Sequence, residues 1–351
     1  MNANCAYELT TWNTDKVVSL FSGLRPEPLH LRSLLAGRSP GRVFVDRMDR
    51  PTAAAVLGGE GCYLGGVPSD GFLGAINALL PRDRCTAVFF SPDLDPRAVD
   101  AIVDGLYMTR AVRWHGRLAA VAVDRIERTD GVRIRPVDRA VLHGELAQAD
   151  DLRKTILSEW KTEALFLEFG VGAIAVVDDR IVGWSTSDYV VDGRCEIGVW
   201  VAKDWRLRGI GTAAAADAAR QAFVRGAREV GWHCWANNLG SIGVAANVGF
   251  APTGRYEILF NHWAAGNIED MTEDEYRAFA VEYERQFTVR PPRESGYPHV
   301  VAATAWALAG EGEKCREHIR TAINIGWLCG IAQLRALWPE LLASQAIWEN
   351  P

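Results

Sequence analysis

The chain has 351 residues, 48% of them hydrophobic and 23% charged, with a formal net charge of -6. This is the composition of a soluble globular protein, long enough for two or three domains, and its acidic balance argues against nucleic-acid binding by bulk charge. No apolar run reaches the roughly 18 residues of a membrane span, the first residues "MNANCAYELTTWNTDK" lack a secretory signal pattern, and seven scattered cysteines without a C-x-x-C pair offer no zinc spacing, so the expectation is a cytoplasmic protein with no membrane partner and no metal.

Residues 1–126 interleave short apolar runs with helical spacing. Strands are predicted over 42–47, 52–58, 62–66 and 86–91, and helices over 71–80 and 96–106, which makes an α/β or α+β unit. The glycines of "LGGEGCYLGG" (57–66) read as turns within or between strands, since no arginine pair precedes them and no alanine-rich helix follows. A second unit opens with a strand at 132–137 and a helical pattern to about Trp160. Three strands then follow within 172–201, separated by turn signals at "VDD" (177–179) and "VDGR" (191–194). A further strand is predicted at 229–235, a short helix at 241–249 and a last strand at 258–263. Beyond Trp263 the pattern is helical. A capping box, Thr272 with Glu275, starts a helix at 271–287. A three-proline linker covers 288–298. An αα-hairpin spans 300–327 with "GEG" as its turn, resembling one tetratricopeptide unit, and more helix is expected to the end.

Between the strand "EIGVWV" (196–201) and a long alanine run lies "DWRLRGIGTA". Glycine disfavours helix and alanine favours it, so the boundary reads as a helix start. Free N–H groups at such an end carry the positive pole of the helix dipole, and Arg206 and Arg208 add full charges, a combination suited to a phosphate. A plain glycine-rich turn gives the same hexamer. The ordered context is more specific: a strand before, a helix after, then a strand, Asn237-Asn238, Ser241 and the ending "ANVGF" (246–250).

In that context residues 130–263 resemble the GNAT-type N-acetyltransferases, and more narrowly the zwittermicin-resistance-type branch. The residues that carry the likeness are "FLEFGVGAIAVVDDRIVGWSTSDYVVDGRCEIGVWVAKDWRLRGIGTA" and "GWHCWANNLGSIGVAANVGF". The resemblance implies three parts: a degenerate GNAT-like domain at 1–126, a catalytic GNAT domain at 127–263 that binds acetyl-CoA, and a helical extension at 264–351. By the same resemblance, Arg206, Arg208, Gly209, Ile210, Gly211 and Thr212 would cradle the pyrophosphate of coenzyme A. Main-chain groups of Val199 and Val201 would pair with pantetheine, as would Asn238 with its side chain and Ser241 behind it. Glu196 would act as the base that takes the amine proton through water. The alternatives for Glu196 are a pairing with Arg194, or a contact with the substrate cation without proton transfer. Asp188 and His233 are reserve candidates.

One position departs from the family. Many relatives carry a tyrosine, four residues before the glycine of the final "GF", that protonates the leaving thiolate; here it is Ala245. Water or Ser241 is left for that role, and loss of catalysis is the harsher reading. The expected activity is transfer of an acetyl group to an amine of a small polar natural product such as an antibiotic. Alternatives are a larger acyl donor, with Trp200 and other tryptophans shaping its pocket, a carrier-protein-bound donor, or a coenzyme-binding scaffold. The N-terminal unit is expected to lack a coenzyme site and to wall the acceptor side, with tryptophans 12, 114, 160, 184 and 200 spanning both units.

Overall fold

In the computed structural model the described residues are 6–9, 14–82, 85–104, 106, 108–119, 131–262, 271–289 and 296–326. Trp12, Trp263, most of the predicted linker and the helix expected after residue 327 lie outside them. The N-terminal part runs β1 (Tyr7–Glu8), α1 (Thr14–Leu20), α2 (Leu29–Leu35), β2 (Gly41–Val45), β3 (Ala53–Gly58), β4 (Gly61–Gly66), α3 (Asp70–Asn77), β5 (Ala87–Phe89), α4 (Pro96–Ile102) and β6 (Thr109–Leu118). Period-2 alternation sorts its strands between two layers. Val43, Val45, Ala54, Val56 and Tyr63 face Val17 of α1, Phe21 just after it, and Leu31 and Leu34 of α2. Phe44, Ala53, Ala55, Cys62 and Leu64 face Phe72, Leu73 and Ile76 of α3 and Val99 and Ile102 of α4.

The next part runs β7 (Arg133–Pro136), α5 (Arg139–His143), α6 (Ala149–Glu159), α7 (Glu163–Phe169), β8 (Gly172–Val177), β9 (Arg180–Val191), β10 (Arg194–Val201), α8 (Ile210–Val224), β11 (Glu229–Trp235), α9 (Leu239–Val248) and β12 (Ala251–Phe260). The alanine run has a packing purpose. Ala214, Ala215, Ala216, Ala218 and Ala219 are all fully buried, and their small side chains let α8 lie close on the sheet against Cys195, Ile197, Val230 and Trp232. Helix α9 ends on Gly249 at φ +106°, the left-handed cap that the glycine of "GF" supplies.

The twelve strands of the described residues form one sheet in the order β1-β2-β3-β4-β5-β12-β6-β11-β10-β9-β8-β7. The sequence reading divides the chain at 126/127, yet the sheet is continuous across that division. Strand β6, from the N-terminal part, lies between β11 and β12, with His115 opposite His233 and Tyr256 opposite Arg113. Strand β12 in turn pairs with β5. The reading also missed β6, α1 and α2, and started the last strand late: β12 begins at Ala251, directly after α9.

At the C-terminal end, α10 (Glu273–Val289), α11 (Tyr297–Leu308) and α12 (Gly312–Asn324) pack around Tyr276, Tyr283, Trp306 and Ile319. The capping box forms: Glu275 Oε2 accepts from Thr272 N at 2.8 Å, and Thr272 Oγ1 accepts from Glu275 N at 3.3 Å. Among the described residues no helix is long and apolar enough to cross a membrane.

Candidate active site

Strands β10 and β11 run parallel but pair over only three positions, Arg194 with Glu229, Cys195 with Val230 and Glu196 with Gly231. At Glu196/Ile197 the ladder from β10 to β9 shifts register. A bulge bends its strand and increases the local twist, and here it marks the point where β10 leaves β11. Past it, the edge of β10 toward β11 carries peptide groups that the sheet does not pair, the position of Val199 and Val201. Gly231 makes room at the fork: a Cβ there would lie 2.9 Å from Glu196 Cγ.

Glu196 is 13% exposed, and its Oε1 is 2.9 Å from Nε2 of His233. The other ring nitrogen, Nδ1, is 2.9 Å from the Tyr256 hydroxyl. Nε2 faces the carboxylate and Nδ1 the phenol, so one ring bridges the two side chains. Burial keeps the phenol of Tyr256 above its ordinary range. Burial also pushes the Glu196 carboxyl up, but the attraction and hydrogen bond of His233, with smaller contributions from His115 and Arg194, bring it below its ordinary value. His115 stacks at 4.2 Å on His233, and burial together with its neighbour's charge pushes it down to about 3. Arg194 is not the partner of Glu196. It pairs with Glu27 at 3.1 Å and Glu229 at 3.5 Å. Asp188 lies against Gly198, where a Cβ would stand 3.3 Å from its carboxylate oxygens, and burial plus repulsion from Glu159, Glu60 and Glu196 raises it well above the usual range.

Glu196, His233 and Tyr256 open into a cavity of about 570 Å³ whose other walls come from residues 24–30, 60–63, 89–99 and 110–112. The N-terminal part is held there by polar contacts. Arg194 reaches Glu27, Arg32 reaches Asp192 at 3.1 Å, and Lys161 N donates to Arg38 O at 2.7 Å. The aromatic wall is Tyr63, Phe89, Phe90 and Tyr256. None of the four described tryptophans expected to span the site is part of it. Trp114 points to the other face of β6 and packs in the α8 layer. Trp160 is buried with its N–H on Ser187 O at 2.7 Å. Trp184 and Trp200 stack on each other at 4.1 Å. Sequence reasoning also missed Tyr256, His115, Glu60 and Tyr63; a polar residue on alternate positions of a strand was the available signal.

On the opposite face, α8 begins after Gly209, which has φ +73° and supplies no side-chain cap. The first N–H groups, at Ile210, Gly211 and Thr212, therefore have no side-chain acceptor from the cap position. A Cβ at 209 would meet no atom within 4 Å, so it would project into open space beside those donors. Gly211 is glycine for another reason: a Cβ there would stand 3.2 Å from Val201 Cγ2 and 3.4 Å from Val244 Cγ2, so it keeps α8 close to the splayed strand. Arg208 lies over the Trp205 ring at 4.9 Å, and Arg206 Nε donates to the Val201 carbonyl at 3.1 Å. Asn238 caps α9, its Oδ1 accepting from Ser241 N at 3.0 Å, which leaves its amide N–H groups for a ligand. Ser241 Oγ accepts from Trp232 Nε1 at 3.0 Å. Ala245 is fully buried in the α8–α9 core. Among the described residues no group of three or more His, Cys, Asp or Glu side chains is arranged to hold a metal ion.

The family model described as GNAT acetyltransferase matches residues 19–259. A GCN5-related N-acetyltransferase-like protein from Streptococcus suis, 20% identical, superimposes with a TM-score of 0.53 over 69% of this chain and 96% of its own, which shows a shared fold. A tandem GNAT protein from the clavulanic acid biosynthesis pathway is 15% identical, with a TM-score of 0.49 over 73% of this chain and 97% of its own. A GCN5-related N-acetyltransferase from Sphaerobacter thermophilus is 16% identical, with a TM-score of 0.46 over 73% and 94%. No curated protein matches the sequence significantly.

Proposed function

The chain belongs to the GNAT acetyltransferase family, and from that premise we propose that it transfers an acetyl group from acetyl-CoA to the amine of a small molecule held in the cavity at Glu196. The observation that carries this reading is the division of labour across the fork of β10 and β11. The acidic cavity opens on one face, and the uncapped start of α8 lies on the other. A peptide lysine needs an open groove for its flanking chain. Here residues 24–30 and 89–99 wall the site, which favours a small molecule over a peptide. Residues 1–126 act as that wall rather than as a second coenzyme site. The start of α3 is already capped, Ser69 Oγ accepting from Phe72 N at 3.3 Å. A larger acyl donor draws no support from Trp200, which is stacked on Trp184 and does not line the cavity.

Acetyl-CoA, when bound, supplies an activated thioester. The residues present fit it: N–H groups of 210–212 with Arg206 and Arg208 for the pyrophosphate, and the free strand edge at Val199 and Val201 with the Asn238 amide for the pantetheine arm. The Val201 carbonyl is already taken by Arg206, so its N–H is the group left for the ligand. Glu196 takes the proton that an ammonium, with pKa near ~10, must lose before its nitrogen can form a bond to the acetyl carbon. His233 and Tyr256 fix the orientation of that carboxylate. The thiol, with pKa near ~8.5, would leave as a thiolate that takes its proton from water, and Ser241, the one hydroxyl on α9, would donate a hydrogen bond to it in the place of the missing tyrosine. Gly209→Glu tests the coenzyme side. It puts a carboxylate among the anion donors and costs about 1–2 kcal/mol at a positive φ. Calorimetry on the folded full-length variant is expected to show no coenzyme A binding; unchanged affinity removes 206–212 from the site.

A further inference from the structure

Resting on the acetyl-transfer reading of this cavity, we propose that the acceptor is an amphipathic primary amine. Its ammonium head sits between Glu196, Glu60 and His30, and its aryl or alkyl body lies against Phe89, Phe90, Leu94 and Val99. The acidic side of the cavity offers two carboxylates and a lining histidine with one unpartnered ring nitrogen. Glu196 and Glu60 both line it; the Tyr63 hydroxyl donates to Glu60 Oε2 at 2.5 Å and leaves the other oxygen for a ligand. His30 is 1% exposed, lines the same cavity, and its Nδ1 has no hydrogen-bond partner. Burial, the largest influence on that ring, keeps it neutral, and the Pro40 carbonyl takes a hydrogen bond from it. Nδ1 is therefore a bare lone pair, a buried acceptor whose unpaired state is costly. An ammonium has three N–H donors and no acceptor, which matches that set.

The charge balance points the same way. Asp188 and Glu159 are both raised, first by burial and then by repulsion from carboxylates that include Glu60 and Glu196. The buried cation of this face, Arg113, lies over the Trp235 ring at 5.0 Å and its Nε has no acceptor. A second cation among Glu60 and Glu196 relieves that repulsion. Most of the remaining wall is apolar, although Arg25, Arg110, Arg255 and Glu257 also line it, with Arg110 paired to Glu257 at 2.9 Å. Phe89, Leu94, Val99, Val112 and Ile258 carry no side-chain hydrogen-bonding group, and neither does Phe90 beside them. A phenyl or hexyl body laid on Phe89, Phe90, Leu94 and Val99 buries apolar area there, whereas a polyhydroxylated or multiply charged body on that side strands its polar groups.

The test uses the full-length protein and direct calorimetric binding of 2-phenylethylamine, hexylamine, methylamine, glucosamine and spermidine, without acetyl-CoA. The two amphipathic amines are expected to bind at least about tenfold more tightly than methylamine, glucosamine or spermidine. Glu60→Gln is expected to weaken 2-phenylethylamine binding about 10- to 100-fold. Tighter binding of glucosamine or spermidine, or equal binding of methylamine and hexylamine, overturns the proposal, and this wild-type series decides it even where the variant fails to fold. Turnover with acetyl-CoA is read separately. Preferred binding of the amphipathic amines with no acetylation of any amine upholds the amine site and overturns the acetyl-transfer reading. Acetylation of glucosamine in preference to 2-phenylethylamine upholds acetyl transfer and overturns the amphipathic acceptor.

Discussion

Glu196→Gln separates the catalytic from the structural role of the buried carboxylate. The substitution is nearly isosteric, and the amide oxygen can still accept from His233 Nε2, which lies 2.9 Å from Oε1. What it removes is the charge and the capacity to take a proton. On the structural side, a charged hydrogen bond is weakened while the cost of burying a carboxylate disappears, so stability should change by about 1 kcal/mol or less. On the chemical side, loss of a general base costs roughly 10²–10⁴ in rate, or about 3–5 kcal/mol of barrier. Coenzyme affinity should stay within about twofold, because the proposed cradle at 206–212 is on the other face of the sheet. The assay is thiol release from acetyl-CoA at saturating amine, with kcat and KM resolved separately. Equal losses in kcat and kcat/KM are expected. A raised KM with unchanged kcat would show that Glu196 only binds the cation and would refute the proton-transfer argument.

Gly231→Ala should push the Glu196 side chain aside, since a Cβ there lies 2.9 Å from Cγ, and should lower kcat about 10- to 100-fold while thermal melting shows the protein folded; wild-type kcat would mean that the carboxylate position is not critical. A chain beginning at residue 127 lacks β6 and leaves β11 and β12 without the strand between them, so it should show no cooperative thermal transition; a sharp one would mean that the second part folds alone. Asp188→Asn should raise the melting temperature at pH 8 and change it little at pH 4. The Asp188 carboxyl is raised in the folded state, so below its unfolded value of about 3.9 both states bind the proton, and folding is penalised as pH rises from there toward the folded value. A lower melting temperature at pH 8 would show that the charge is compensated.

The strand-to-helix turn before α8 was legible because it is local. Arginines, two glycines and an alanine run fix a strand-to-helix turn within twenty residues, and β11 matches its predicted span, Glu229–Trp235. The place of Glu196 near the start of a strand was legible too, within β10 at Arg194–Val201. What could not be read was long-range. Strand β6 has Arg110, Arg113, His115 and Arg117 on alternating or near-alternating positions, and they hide its period because that face of the sheet borders a buried polar cluster rather than an apolar core. The pairing of β6 with strands more than 100 residues away has no local signature, and it is this pairing that puts His115 and Arg113 beside His233 and Tyr256. The tryptophans misled for a related reason. Size suggested a pocket, but alternation turns Trp114 to the helical layer, and the wall is built from smaller aromatics in β4, β5 and β12.

The most direct test of acetyl transfer is a single incubation of the full-length protein with carbonyl-labelled acetyl-CoA and a saturating primary amine, followed by mass spectrometry and thiol titration on the same sample. One labelled acetamide per thiol released is expected, in an amount that falls by at least about 10² with Glu196→Gln. Thiol release without labelled amide, or no release with any amine despite measurable coenzyme A binding, would contradict acetyl transfer.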